Sequence, residues 1–146
     1  QQHGLPDNLM PLMTAVATGR VPVLRVYGGD YPTQDGTAIR DYVHVMDVAD
    51  AHLLAMRHLD DRPGLRVMNV GTGTGVSVLE LLTEFGRACG MRLPHEIVGR
   101  RAGDVASLVA DPGRITAEWG WKASRNVQHM CQDAWNFTCR HELTRA

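Results

Sequence analysis

Residues 28–50 read GGDYPTQDGTAIRDYVHVMDVAD (Gly28–Asp50), and the reading of this stretch decides how the rest of the chain is placed. It opens on Gly28-Gly29-Asp30, a turn cluster, because glycine tolerates positive φ and aspartate caps reversals. A polar loop follows from Pro32 to Gly36, and then a short alternating run around Tyr42-Val43-His44-Val45 reads as strand. Asp47 reads as the N-cap of the alanine-rich helix after it. Arg40-Asp41 stands at the mouth of the run. An arginine delivered by a loop onto a strand suits an anion, since its planar fork pairs bidentately with phosphate. The alternative is a surface ion pair that contributes little, and local chemistry alone favours it.

Upstream, residues 7–19 read as a helix with Asp7 as N-cap, an apolar face through Leu9, Leu12, Met13 and Val16, and Gly19 as the stop. Val23–Tyr27 is a short strand. Downstream, the helix begun at Asp47 ends in the turn 60–64, and Leu65–Val70 reads as a strand buried on both faces. Ser77-x-x-Glu80 is a capping box opening a helix that buries Val78, Leu81, Leu82 and Phe85 and ends near Gly90. Glu96–Val98 is a short extended piece leading to Arg100-Arg101. Asp111-Pro112 reads as an N-cap followed by proline at the first helical position. The last helix spans about 126–140, with Val127, Met130, Ala134, Trp135 and Cys139 inward. The order suggests α+β pieces completing a larger α/β fold rather than a self-evident βαβ array.

With 146 residues, 44% hydrophobic and 21% charged, the chain has the composition of an ordinary globular domain. A formal net charge of −1 supplies no bulk attraction to nucleic acid or anionic membrane. Lys122 is the only lysine, and the other basic residues are arginines. Cys89, Cys131 and Cys139 have neither disulfide nor metal-ligand spacing, so free thiols and a cytoplasmic setting are expected. No run of sequence is long and apolar enough for a membrane span, and no signal peptide is legible. The chain opens Gln1-Gln2-His3, as expected of a piece of something longer.

Gly71-x-Gly73-x-Gly75 follows a strand and precedes a helix, the setting of a dinucleotide fingerprint. The fingerprint places its third glycine one position later, where Val76 stands, so the segment reads as a structural turn and not as an NAD site.

The full string Asp35-Gly36-Thr37-x-x-Arg40-Asp41-Tyr42-x-His44-Val45-x-Asp47 closely resembles the UDP-glucose 4-epimerases of the extended short-chain dehydrogenase/reductase family. The resemblance continues through Asn8-Leu9-Met10-Pro11, Asn69-x-Gly71-Thr72-Gly73, Arg100-Arg101-x-Gly103-Asp104 and Gly120-Trp121, in order and over nearly the whole chain. It implies an α/β fold: residues 1–146 as the α+β substrate-binding C-terminal lobe of a Rossmann-type enzyme whose NAD-binding core is not among them. It also implies a UDP-hexose substrate, NAD as cofactor of the full-length enzyme, and a homodimer only for that enzyme. By resemblance Asn8 and the Leu9 N–H would meet a phosphate oxygen, although Asp7 stands where the family usually has asparagine. Arg25-Val26-Tyr27 would read uracil through backbone groups, Arg40 and Arg101 would clamp the diphosphate, and Asp104 would accept ribose hydroxyls. Leu108 would face the hexose, or else simply fill core. Arg100 reads equally as a solvated basic turn, Tyr42 and His44 as packing residues, and Trp119, Trp121 and Trp135 as core.

The family's base is a tyrosine with a lysine four residues on, because a phenol near its reference pKa of about 10 is a poor base at neutral pH without a cation beside it. Position 118, four before Lys122, is Glu118, and Tyr27, Tyr31 and Tyr42 are followed at that spacing by Tyr31, Asp35 and Met46. The chain alone is therefore expected to be catalytically inactive. The alternatives are another nucleotide-sugar enzyme of the same family, such as a dehydratase or decarboxylase, or a non-catalytic nucleotide-sugar binding module from a truncated gene.

Overall fold

Ser77 shows how this chain ties its loops to its helices. Its hydroxyl accepts from the Glu80 N–H at 3.0 Å and donates to Asp35, while its own N–H donates to the Glu80 carboxylate at 2.8 Å. The capping box thus forms as read, and it anchors the long polar loop as well. A computed structural model of the chain describes residues 8–61 and 64–141. Asp7 and the Arg62-Pro63 part of the expected turn lie outside the described residues.

The elements run α1 (Leu9–Ala17), β1 (Leu24–Tyr27), β2 (Ile39–Arg40), α2 (Val45–Arg57), β3 (Val76–Ser77), α3 (Val78–Cys89), β4 (His95–Val98), β5 (Ser107–Leu108), α4 (Gly113–Trp119) and α5 (Val127–His141). β1 and β4 pair in parallel, with Tyr27 opposite Val98. β2 lies between antiparallel β3 and parallel β5, with Arg40 opposite Leu108. The main core gathers where α1, α3 and α5 cover β1. Met13, Leu24, Leu81, Phe85 and Cys131 are almost fully buried there, and Trp135 meets Phe85 edge-on at 6.3 Å. Removing a ring such as Phe85 from a core of this kind costs about 3–5 kcal/mol. Burial pushes the Cys131 thiol up to about 12, with Glu84 and Cys89 adding to it, and all three cysteines are free. A second cluster joins Ala51 to Ile115 and Trp121, and the Trp121 indole donates to the Asp47 carbonyl at 3.2 Å.

Several boundaries differ from the sequence reading. α1 starts at Leu9 with Asn8 in the cap position, and the Asn8 side chain makes no capping bond. The Tyr42–Val45 run is not a strand, since the ladder there is only Ile39–Arg40. His44, not Asp47, caps α2, its Nδ1 accepting from the Met46 N–H at 3.1 Å. Asp47 falls inside the first turn and is drawn inward. Its carboxylate accepts from the Ser124 N–H and hydroxyl, the Arg125 N–H and the Arg125 guanidinium. Asp111 caps α4 from one position further out, accepting from the Gly113 N–H at 2.8 Å, with Pro112 in the cap position.

Leu65–Val70 carries the alternation of a strand but forms no ladder among the described residues. Met68 and Val70 pack on the second cluster while Leu65 is 93% exposed, so one face is covered and the other is open. Side-chain periodicity sets which faces exist, but a strand also needs a neighbouring backbone to pair with. Trp119, Trp121 and Trp135 are packing residues, as expected, and Trp119 also stacks on His58 at 5.3 Å.

Candidate functional site

The segment between β4 and β5 assembles the site, because it bridges the two small sheets. At one end the Gly28 N–H donates to Val98 O at 2.9 Å; at the other the Ile39 N–H donates to Ala106 O at 2.8 Å. The turn between them therefore runs from the C-terminal end of the β1–β4 pair, the kind of strand end at which open α/β sheets form ligand crevices, to the N-terminal end of the β2–β5 pair. Four of the expected site residues meet there: Tyr27 at the end of β1, Arg40 on β2, and Arg101 and Asp104 on the bridge.

Arg40 is held by backbone. Its Nη1 donates to Ile39 O at 2.8 Å and to Val105 O at 2.9 Å, and Nη2 lies 3.8 Å from Asp104 Oδ1. The guanidinium is thus fixed on one edge and opposed by a single carboxylate. Arg101 lies with Cζ 4.3 Å over the Tyr27 ring centroid. Stacking uses the face of a guanidinium and leaves its in-plane N–H donors available. The Asp104 N–H closes the turn onto Arg101 O at 3.2 Å.

β1 contributes backbone. The Leu24 and Gly28 N–H groups both donate to the β4 side, at 2.9 Å each. Alternation along a strand then turns the N–H and C=O of Arg25 and Tyr27 the opposite way, to an edge with no strand partner among the described residues. Val26 is buried in the core, and the Arg25 side chain is spent across the ladder on Glu96 at 3.0 Å. Leu108 is 63% exposed on β5, opposite Arg40, so it does not fill core. Asn8 and Leu9 stand at the start of a helix packed on β1, α3 and α5. No hydrogen bond or ion pair among the described residues ties them to the arginine cluster.

Arg40 and Asp41 are not an ion pair. Asp41 turns away and is consumed by backbone: its carboxylate accepts from Thr72 N–H and hydroxyl, Gly73 N–H and Ala110 N–H. The Gly71 turn therefore gives to Asp41 the N–H groups that a phosphate would need. Gly71 itself must lack a side chain, since a Cβ would lie 2.7 Å from Asp41 Oδ2 and 2.4 Å from Ala110 Cβ. The residues present do not form a dinucleotide cradle there. Tyr42 does not suit a catalytic base either. Burial pushes its phenol up to about 12, against a smaller opposing pull from Arg40.

Sequence reasoning missed two features. Asp35, Asp41 and Asp47, spaced six apart, each pin a different distant segment: Ser77, the 72–73 turn with Ala110, and 124–125. Asp35 also holds the Thr37 N–H and hydroxyl at 2.8 and 2.7 Å. The second is Arg100, which lies over the Tyr31 ring and pairs with Asp30. The only signal for it was the coincidence of two adjacent arginines with two tyrosines in a turn-linked stretch. Among the described residues no His, Cys, Asp and Glu group could hold a metal, and no helix is long and apolar enough to cross a membrane.

Comparison with known proteins places this geometry among relatives. Residues 1–71 match the NAD dependent epimerase/dehydratase family. The UDP-glucose 4-epimerase of Bos taurus is 46% identical over 135 residues, which is 92% of this chain and 39% of that protein. A crystal structure of UDP-glucose-4-epimerase from Stenotrophomonas maltophila, with bound NAD and formylated UDP-arabinopyranose, superposes with a TM-score of 0.92 at 47% identity. It covers 100% of this chain and 43% of that one. The Bifidobacterium longum UDP-glucose 4-epimerase, in complex with NAD+ and UDP, gives 0.91 at 40% identity, over 95% of this chain and 41% of that one. The chain is thus homologous along nearly its whole length to UDP-glucose 4-epimerases, and it spans about 40% of the length of the relatives it matches.

Proposed function

We propose that residues 1–146 are the UDP-sugar-binding C-terminal portion of an NAD-dependent UDP-hexose 4-epimerase, acting in cytoplasmic galactose metabolism. The observation that carries the reading is the convergence of Arg40, Arg101 and Asp104 at the ends of the parallel strand pairs, beside the open backbone edge of β1. Two guanidiniums held from different elements offset a diphosphate without crowding each other. Asp104, already within reach of Arg40, accepts ribose hydroxyls. The open N–H and C=O groups of Arg25 and Tyr27 match the alternating donor and acceptor edge of a pyrimidine, with Val26 fixing the strand between them. Asn8, whose amide makes no capping bond, and the Leu9 N–H offer donors at a helix start, where anions are favoured. Leu108 borders the hexose.

The oxidation and reduction at C4 belong to NAD and a tyrosine–lysine pair, and this chain supplies neither. Its part is to bind the nucleotide, and by holding that remote part of the substrate, to direct the sugar ring toward the reacting groups.

Calorimetry of UDP binding to the intact gene product carrying these residues tests the reading. Arg40→Ala and Arg101→Ala each lose charge-assisted hydrogen bonds worth about 1.5–3 kcal/mol, a weakening of roughly ten- to a hundredfold. Arg100→Ala loses much less. Equal affinity in all three variants and the wild type would refute the clamp.

A further inference from the structure

Two neighbouring arginines of the β4–β5 bridge lie on two tyrosines of the facing turn, and they are held in different ways. Arg100 donates from Nε to Asp30 Oδ1 at 2.7 Å and from Nη2 to Asp30 O at 2.6 Å, with Cζ 4.4 Å over the Tyr31 ring. Arg101 has only the Tyr27 ring beneath it among the described residues. Nε and Nη2 of Arg100 are committed to Asp30, and the donors of Arg101 are open.

The platform under Arg100 is itself fixed. Tyr31 is 5% exposed, and its ring fills the space where a side chain on Gly28 would begin, 2.3 Å from a Cβ built there. Gly28 also takes φ +84°, which glycine adopts without strain. The Tyr31 hydroxyl has no partner among the described residues, so the ring serves this turn through its faces. Between the ladder bond at Val98 and the one at Ala106, Arg100 supplies the hydrogen bonds that cross from the bridge to the Gly28–Tyr31 turn.

We propose that Arg100 is a positioning residue, latching the bridge onto the Gly28–Tyr31 turn so that Arg101 is held over Tyr27 with its donors presented to the nucleotide diphosphate. The proposal rests on the reading of Arg101 given above. An exposed ion pair does little for overall stability, so the latch acts on affinity. The hydrogen bond from Arg100 holds the Asp30 carboxyl below its ordinary value.

The test measures UDP affinity by calorimetry and uridine affinity by competition in the intact gene product carrying these residues. The variants are Arg100→Ala, Asp30→Asn, Arg101→Ala and the double variant Arg100→Ala/Arg101→Ala. Arg100→Ala and Asp30→Asn are each expected to weaken UDP by about three- to tenfold, the scale of ordering one long side chain on binding. Uridine, which has no phosphate, should bind as to wild type. Once Arg101 is alanine, removing Arg100 should cost nothing further. A cycle in which the two losses simply add, or uridine weakened as much as UDP, would overturn the latch. So would unchanged UDP affinity in Arg100→Ala while Arg101→Ala is weak. Unchanged affinity in Arg101→Ala would instead overturn the clamp on which the latch depends.

Discussion

Arg101 rests its guanidinium 4.3 Å above the Tyr27 ring, and this single contact joins the end of β1 to the bridge that leads to β5. A cation over an aromatic face is worth about 0.5–1 kcal/mol at an exposed site. Tyr27→Phe retains that face and should bind UDP as wild type does. Tyr27→Leu removes it and should weaken UDP roughly two- to fivefold, because the arginine must then be ordered by the ligand itself. Calorimetry on both variants decides the matter, and equal affinities would show that the stack does not prepare the site.

The Asp47 carboxylate is 1% exposed and serves the Ser124 and Arg125 backbone and side chains together, so it holds the segment before α5 against α2. Those hydrogen bonds outweigh the opposing effect of burial and hold its carboxyl below the ordinary range. A depressed folded-state value stabilises above the unfolded carboxyl's pKa, about 3.9, and that stability is lost as pH falls through the folded value. Asp47→Ala should cost about 3 kcal/mol. This is the low end for breaking a buried pair, because Arg125 reaches solvent. In the intact gene product carrying these residues, the Asp47→Asn variant, followed by urea unfolding from pH 6 down to pH 3, should lose less stability than wild type. Identical acid dependence in the two would show that Asp47 does not carry this term.

Asp47 also shows what the sequence could and could not convey. Six residues after Asp41 and at the start of a helix, it has every local mark of a cap, yet Ser124 and Arg125, more than seventy positions away, claim it. His44 takes the cap instead. Local rules place helices well, as the Ser77–Glu80 box and the boundaries of α3 demonstrate. They place long-range partners poorly, since nothing near Asp35, Asp41 or Asp47 names the segment each will bind. The string from Asp35 to Asp47 was readable as a resemblance, but the use of its aspartates as staples was not. Arg40 and Arg101 as candidates for a diphosphate clamp, and Asp104 as a candidate for ribose, came from the resemblance. Their convergence follows from the β1–β4 and β2–β5 pairings, which four- and two-residue strands announce only faintly. Leu65–Val70 failed in the opposite sense, with a clear pattern and no ladder to join.

That open segment lies in the same chain as an uncovered helix face. Val45, Ala49, Leu53 and Met56 follow one side of α2, all exposed, while Asp47, Ala51 and Leu54 on the other side face the core. Leu65 and Val67 are exposed as well. Contiguous apolar surface of this kind drives association in water, and under the proposed function the NAD-binding portion would cover it. The 146-residue chain on its own should therefore self-associate or unfold partly. Leu53→Glu with Met56→Glu should shift it toward monomer in sedimentation velocity. A wild-type chain that sediments as a monomer and melts in one sharp transition would show that these faces need no cover.

Under the proposed function, Leu108 bears on which sugar the site takes. It pairs in register with Arg40 on neighbouring parallel strands and is 63% exposed, so its side chain stands beside the clamp rather than in the core. Leucine is shorter than tyrosine and carries no hydroxyl that would need a partner if the pocket closed over it. Under that reading, space beside the hexose C2 would receive an N-acetyl group. In the intact gene product carrying these residues, UDP-N-acetylglucosamine should be turned over as well as UDP-glucose. Leu108→Tyr should lower kcat/KM for the N-acetyl sugar by roughly tenfold or more while sparing UDP-glucose, the scale at which a filled pocket rejects a bulkier substrate. The comparison needs both sugars on both proteins. If the wild type already rejects the N-acetyl sugar, or the tyrosine variant discriminates no better, Leu108 does not set the width of the pocket.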